Sequence, residues 1–523
     1  MSDQRQTADR VDPVVDGDLP SGLVEAFWEY EHALMVNDTE ALDRFFAPGE
    51  STVRTDASGL LVGHDRIGAF RRMRGGTPAR TIAELRIQVV SPSAALVVSV
   101  SRAAKGGSGV QTQLWRLLAS GAWAIAGAHV QAAPPAVDRT VWRVVGDPLA
   151  ASTASGPLDG MTVAVKDLFA VRGFAVGAGI PEYLAESPIE EADADAVAAL
   201  RAAGAAVLGI ARTDEFAYSV AGRNAHYGTP PNPAVPGALP GGSSSGPASA
   251  VALGQATIGL ATDTAGSIRV PASYQGLWGI RTTHGAVSAQ GLAPLAPSFD
   301  TIGWLTRSAA TLEAAAAASL DPEMQAVAPE AFVVSADLLS SCSPEVRAAF
   351  DRGVASLGGV ELVDLGDLDE AFAAFRTVQG AEAWAADGAW VSAHPGVLGA
   401  DVAERFEIAS RISPEEEADA RARLMLARER LDAALAGRTL LLPSTSSTAP
   451  GLDAPPAEIA AVRAGTLRMT AVAGVGGYPA VSAPVLSAPS AVLAGRPAPL
   501  GLCLVGPRYS DLSLIALAAS FAT

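Results

Sequence analysis

The chain has 523 residues and a formal net charge of -18, with 49% hydrophobic and 18% charged residues. That length exceeds one small core and points to two domains, while the acidic balance excludes a nucleic-acid partner, because phosphate binding needs clustered Lys and Arg. No uninterrupted apolar run approaches the roughly 18 residues of a membrane span, so no membrane association is expected.

The opening MSDQRQTADRVDPVVDGD is polar and acidic, without the apolar core of a secretory signal. Residues 1–20 are expected to be a disordered tail, and two distant cysteines, Cys342 and Cys503, suit a reduced cytoplasm. Ser21 is placed to cap a helix whose Leu23, Ala26, Phe27, Tyr30 and Leu34 share one face. Thr39–Phe46 reads as a second, short helix. Strands are expected at Thr81–Val90, Ala94–Ser101, Gln111–Leu118 and Trp123–Gln131, parted by turn signals at Lys105-Gly106-Gly107 and Ser120-Gly121. Helices followed by antiparallel hairpins predict an α+β cone over residues 21–131. Phe27, Tyr30, Trp115 and Trp123 belong to its core, His129 is expected to be a hydrogen-bonded structural residue, and His64 reads as surface.

Residues 132–156, dominated by Pro and small side chains, read as a linker or docking strand. Beyond them, residues 157–523 are expected to form an α/β domain with a mixed, largely parallel sheet wrapped by helices. Strand-like MTVAVKD at 161–167 and AAVLGIA at 205–211 bracket an alanine-rich helix at Asp193–Ala203, and a helix and strand follow around 246–262. A long helix from Pro414 to Leu435 opens on three glutamates, which favour the positive end of its dipole, and a helix at Ser510–Phe521 closes the domain. The six histidines show no metal-ligand spacing, so neither metal nor other cofactor is expected.

The chemistry concentrates between Gly241 and Gly285. Two small-residue turns, Ser243-Ser244-Ser245 and Asp263-Thr264-Ala265-Gly266-Ser267, flank an alanine-rich run. Small side chains let backbone N–H groups crowd a ligand, and a serine in such a nest can act as nucleophile once a base takes its proton. No histidine stands in a familiar protease arrangement, and His226 and His284 lack an obvious acidic orienter. The chain has only two lysines, Lys105 and Lys166. Lys166 ends the apolar strand Val163-Ala164-Val165, where desolvation lowers an amine's pKa. One strand-end lysine and two loop serines make a Ser–Ser–Lys relay.

These residues carry a resemblance. MTVAVKDLF, GTPPNPAVPGALPGGSSSG and DTAGSIRVPAS, in that order, resemble the amidase signature enzymes. RTDEFAYSVAGRNAHYGTPPNPAVP and RTTHGAVSAQGLAPLAPSFDTIGWLTR are similar to the plant amidase 1 branch and to indole-3-acetamide hydrolases. The resemblance implies Ser267 as nucleophile, Ser243 in a cis peptide as proton relay and Lys166 as base, the 24 positions from Ser243 to Ser267 matching the family pattern. It implies an oxyanion hole from the N–H groups of Thr264, Ala265, Gly266 and Ser267, with Asp263 and Arg269 fixing the loop. Ala265 stands where the family often has glycine, so φ below zero is expected there. Pro247, where serine is common, suits the first turn of a helix. Family analogy places pocket walls at Tyr218, in the Trp384–Trp390 region and after Leu441.

The implied reaction is hydrolysis of a small carboxamide to a carboxylate and ammonia or an amine through an acyl-enzyme. Aryl-amides, carbamates and ureido-type (carboxybiuret-like) substrates use the same route. An amidotransferase-type subunit and a non-catalytic, cone-based assembly protein are readings of another class. The N-terminal pieces EAFWEYEHALMVNDTEALDRFF, STVRTD, LVGHDRIGAFRRMR and QTQLWRLLASGAWAIAGAHVQ resemble an NTF2-like cone domain. They are similar to the stand-alone cone protein that accompanies carboxybiuret-hydrolysing amidases; such cones can hold a ligand, carry out chemistry or pair subunits, and the favoured expectation is an accessory role with a homodimer formed through this domain.

Overall fold

The chain divides between Asp138 and Arg139 into two units. A computed structural model describes residues 10–56, 59–73, 77, 79–103, 108–131, 137–355 and 357–522. The turn at Lys105-Gly106-Gly107 and residues 132–136 lie outside the described residues.

The first unit holds helices α1 (Leu23–Val36), α2 (Thr39–Arg44) and α3 (His64–Met73). Its strands are β1 (Val14–Asp16), β2 (Val53–Asp56), β3 (Gly59–Val62), β4 (Arg80–Ser91), β5 (Ala94–Ala103), β6 (Ser108–Leu117) and β7 (Trp123–Gln131), in the sheet order β1-β4-β5-β6-β7-β2-β3. The apolar face of α1 packs Phe27 and Tyr30 against Ile87, Val97 and Trp115, with the Tyr30 ring edge-on to Trp115 at 6.0 Å. Three details depart from expectation. Ser21 does not cap α1: Gly22, at φ 78°, holds that position with no side-chain bond, and the Ser21 carbonyl instead accepts from Trp123 Nε1 at 3.0 Å. The expected tail is ordered at Val14–Asp16, which pairs parallel with Arg86–Gln88 because the edge of β4 offers unpaired backbone groups. His64 is half-buried, its Nε2 3.0 Å from the Asp43 carbonyl oxygen. His129 pairs its Nδ1 with Thr55 Oγ1 at 2.7 Å, the structural role expected of it.

The second unit is built on β8 (Trp142–Ala150), β9 (Thr162–Lys166), β10 (Ala206–Ala211), β11 (Ile258–Asp263), β12 (Trp278–Arg281), β13 (Thr301–Thr306), β14 (Phe332–Val334), β15 (Glu361–Leu362), β16 (Thr439–Pro443), β17 (Ala480–Pro489) and β18 (Pro497–Val505). Their order is β15-β14-β16-β18-β17-β12-β13-β11-β9-β10-β8. The sheet is mixed, as expected. Parallel pairing is confined to β9 with β10 and β11, and to β14 with β15 and β16, so its parallel share is smaller than expected. The physical reason is that β12–β13 and β17–β18 return antiparallel without a crossover helix. Residues 142–150 are no free linker but an edge strand antiparallel to β10.

Strand β9 lies inside the sheet, and its Val163, Ala164 and Val165 are buried, which is why the run is continuously apolar. Its end delivers Lys166 to the turns before the helices Ser245–Ala252 and Arg269–Gln275. The helices Leu368–Ala393, Ala400–Ala409, Pro414–Leu435 and Pro456–Gly476 share a core around Phe375, Val378, Phe406 and Leu431. The third starts at a capping box, Ser413 with Glu416, which explains its sharp boundary.

Candidate active site

Lys166 is completely buried. Its Nζ lies 2.8 Å from Ser243 Oγ, 3.0 Å from Ser244 Oγ and 2.7 Å from Thr262 Oγ1. Burial pulls its pKa from 10.5 down to about 7, against the opposing pull of Asp214, Asp300 and Asp263. Ser244 donates its own proton to the Thr262 carbonyl at 3.2 Å, so it can only accept from the amine. Ser243 keeps a hydroxyl proton to give to a neutral Nζ.

The Gly242–Ser243 peptide is cis. The Ser243 carbonyl accepts from Thr213 Oγ1 at 2.9 Å and from Asp214 N at 3.2 Å. Asp214, buried and raised by that burial to about 6, accepts from Ser245 Oγ at 3.1 Å and Gly222 N at 2.9 Å. A Cβ at Gly242 would run into the Asp214 carboxylate, so the turn needs glycine there.

The second turn is tied from inside by Asp263. Its Oδ1 accepts from Gly266 N at 2.8 Å and Arg269 Nη2 at 2.8 Å, and its Oδ2 from Arg269 Nε at 3.0 Å. Arg281 adds a bond to the Asp263 carbonyl and a second to the Thr264 carbonyl at 3.2 Å. Burial alone would raise the Asp263 carboxyl, but Arg269 and Arg281 hold it well below the usual carboxylate range. Asp263 and Arg269 thus fix the loop by direct contact. Gly266 sits at φ 131°, while Ala265 is absent from the positive-φ residues, as its side chain requires.

The four N–H groups expected to form an oxyanion hole differ in their bonding. Gly266 spends its N–H on Asp263, whereas the N–H groups of Thr264, Ala265 and Ser267 have no partner among the described residues. Ser267 is 4% exposed. Among the described residues no hydrogen bond joins its hydroxyl to that of Ser243. The two turns meet through the main chain, Ser244 N donating to the Ser267 carbonyl at 3.3 Å.

The expected pocket residues part company. Tyr218 and Ala265 line one cavity of about 300 Å³. Trp384 lines a different one with His394 and Leu398, and Trp390 packs edge-on against Tyr183 and Phe216 at 5.3 and 5.6 Å. Both tryptophans share the helix Leu368–Ala393 with Arg376 and Gly380, which do line the first cavity, but at 1.5 Å per residue they lie about 6 and about 15 Å beyond Gly380 along its axis. The segment after Leu441 is spent on structure: Ser444 Oγ pairs with Ser482 Oγ, Thr445 Oγ1 with Ser273 Oγ and Ser446 Oγ with Thr466 Oγ1.

Sequence reasoning missed Ser244, Thr262, Asp214, Asp300 and Arg281. Thr262 directly precedes Asp263 on β11, and Asp300 accepts from Thr264 Oγ1 at 2.5 Å. The one available signal was DTAGS continuing upstream into a strand, whose parallel pairing with β9 runs to Leu260 opposite Val165 and leaves Thr262 Oγ1 2.7 Å from Lys166 Nζ.

A family model described as Amidase matches residues 146–352, and one described as AtzH-like matches residues 14–135. Amidase 1 of Arabidopsis thaliana is 35% identical over 373 residues, 64% of this chain and 88% of its own length. The 2-amino-5-chloromuconic acid deaminase of Comamonas testosteroni is 35% identical over 393 residues, 69% of this chain and 81% of its own. A solved structure from a vestigial protein complex bearing on the origins of an s-triazine catabolic enzyme superposes with TM-score 0.64 at 28% identity, covering 70% of this chain and 84% of that one. Fold and site define a hydrolase acting on carbon–nitrogen bonds. The chain belongs to the amidase signature family, and its first unit is AtzH-like.

Proposed function

We propose that the second unit hydrolyses a small-molecule carboxamide through a Lys166–Ser243–Ser267 relay and an acyl-enzyme on Ser267. The observation that carries this reading is the completely buried Lys166 amine 2.8 Å from Ser243 Oγ, its pKa pulled down to about 7 by that burial. An amine neutral near pH 7 can take a proton, and Ser243 is positioned to hand one over. The Ser267 oxygen bonds to the amide carbon as its proton passes through Ser243 to Nζ. The N–H groups of Thr264, Ala265 and Ser267, without partners among the described residues, stabilise the oxyanion. As the C–N bond breaks, the proton returns through Ser243 to the departing nitrogen. Water then attacks the ester carbon, releasing carboxylate and restoring Ser267.

Hydroxylamine tests this. Two amides with one acyl group and different leaving amines are expected to give the same ratio of hydroxamate to acid, because both pass through one acyl-enzyme. A ratio that tracks the amine argues against it.

The AtzH-like unit is assigned an assembly role, holding the chain as a homodimer, and native mass spectrometry of the full chain reads that directly. The free thiols of Cys342 and Cys503 suit a reducing, cytoplasmic setting.

A further inference from the structure

The cavity that reaches Ala265 is lined by three arginines, Arg376, Arg405 and Arg463, together with Tyr218. Among the described residues no acidic side chain lines it. In a chain of net charge -18, three guanidinium groups gathered with Asp401 as the one carboxylate bonded to any of them among the described residues stand out. Arg405 is partly engaged, donating to the Tyr218 carbonyl at 2.6 Å and to Asp401 Oδ2 at 2.9 Å. Arg463 has no hydrogen-bond partner among the described residues, and its buried Nε is unsatisfied. Arg376 stands over the Phe372 ring at 6.0 Å and has no carboxylate partner among the described residues. The acids of the adjoining surface hollow are already used, Glu416 in its capping box and Asp419 by Arg423 at 2.7 Å.

Burial, then the like charges of Arg405 and Arg376, push the Arg463 pKa down to about 10, against the opposing pull of Tyr218 and Asp401. Such a cluster is unfavourable until an anion enters. Phe372, Phe375 and Leu467 supply apolar walls, which strengthen any ion pair formed between them. Arginine's planar fork suits a carboxylate, and the Tyr218 hydroxyl adds a neutral donor.

We infer that this cavity recognises a carboxylate, so that the substrate is a small amido acid, its carboxylate held by Arg463 and Arg376 while its amide reaches the loop at Ala265. The inference rests on the amide-hydrolase reading above. At about 300 Å³ the cavity lies at the small end of ligand pockets, which fits a short acid.

The test uses the full chain with the monoamides of malonic, succinic and glutaric acid, each paired with a neutral analogue carrying isopropyl in place of the carboxylate. At least one acid is expected to exceed its analogue roughly tenfold or more in kcat/KM. Arg463→Met and Arg376→Met are each expected to lower kcat/KM for that acid on the order of 10- to 100-fold and to leave the analogue within about threefold. Equal losses on both compounds, or faster turnover of the analogues, overturn the inference. Calorimetric binding of succinate and glutarate to Ser267→Ala separates the two layers. Binding that Arg463→Met abolishes upholds the carboxylate site even if no amide is cleaved. Hydroxamate formation without carboxylate discrimination or binding leaves the hydrolase reading standing and removes the carboxylate site.

Discussion

Ser243 Oγ lies 2.8 Å from Nζ of Lys166, 77 positions earlier in the chain and at the end of a strand buried on both faces. Strand β9 pairs parallel with β10, whose continuation at Thr213 and Asp214 holds the Ser243 carbonyl, and with β11, whose last residues run straight into the Asp263–Ser267 turn. One strand end therefore serves both serine turns.

The pH profile reports on that amine. With Lys166 at about 7, kcat/KM is expected to rise tenfold per pH unit below that value and level off above it. Asp214→Asn removes a negative charge that favours the ammonium form, so the acid limb moves to lower pH; a shift to higher pH contradicts this electrostatic account. The stability linkage has a definite sign. The folded value lies below the unfolded 10.5, so the unfolded chain binds more protons between about 7 and 10.5, and Lys166 makes stability rise with pH across that window.

Asp263→Asn is expected to destabilise the second unit by about 3–5 kcal/mol, because Arg269 and Arg281 are left buried without their carboxylate. Urea unfolding of the full chain measures it. The folded pKa is depressed below 3.8, so the aspartate's contribution is present above that value and lost as pH falls through the lower folded one.

Gly266→Ala tests the loop backbone. The residue sits at φ 131°, and an added Cβ would meet Thr470 Oγ1 at 3.1 Å and Val270 Cγ2 at 3.2 Å. The neighbouring donors shift, and kcat is expected to fall on the order of 100- to 1000-fold with a smaller change in KM. A change in KM alone contradicts an oxyanion role for this turn.

In the first unit, Ser21→Ala is expected to change stability by less than about 0.5 kcal/mol, since its side chain caps nothing. Gly22→Ala is expected to cost about 1 kcal/mol, because φ 78° is unfavourable for alanine. Calorimetry of the two variants compares them directly.

The candidate residues were legible because each carries a local sign: a lysine ending an apolar run, and serines in turns of small residues. The partners of these groups were not, because Thr262, Asp214 and Arg281 reach the site only through strand pairing and buried bonds spanning many residues. The expected pocket residues separate for a geometric reason. Trp384 and Trp390 share a helix with Arg376, and sequence proximity conceals the rise along its axis. In the first unit the four long strands were readable from alternation, while β1, β2 and β3 are three or four residues each, too short to show a period. The edge strand β8 looked like a linker because a Pro-containing outer strand carries little apolar pattern.

The central claim is that Ser267, activated through Ser243 by Lys166, forms the covalent intermediate. Peptide mapping after incubation of the full chain with a fluorophosphonate tests it most directly. One adduct per chain on Ser267 is expected, absent in Ser267→Ala and formed much more slowly in Lys166→Ala. An adduct on Ser243 or elsewhere, or amide hydrolysis that persists in Ser267→Ala, contradicts the account.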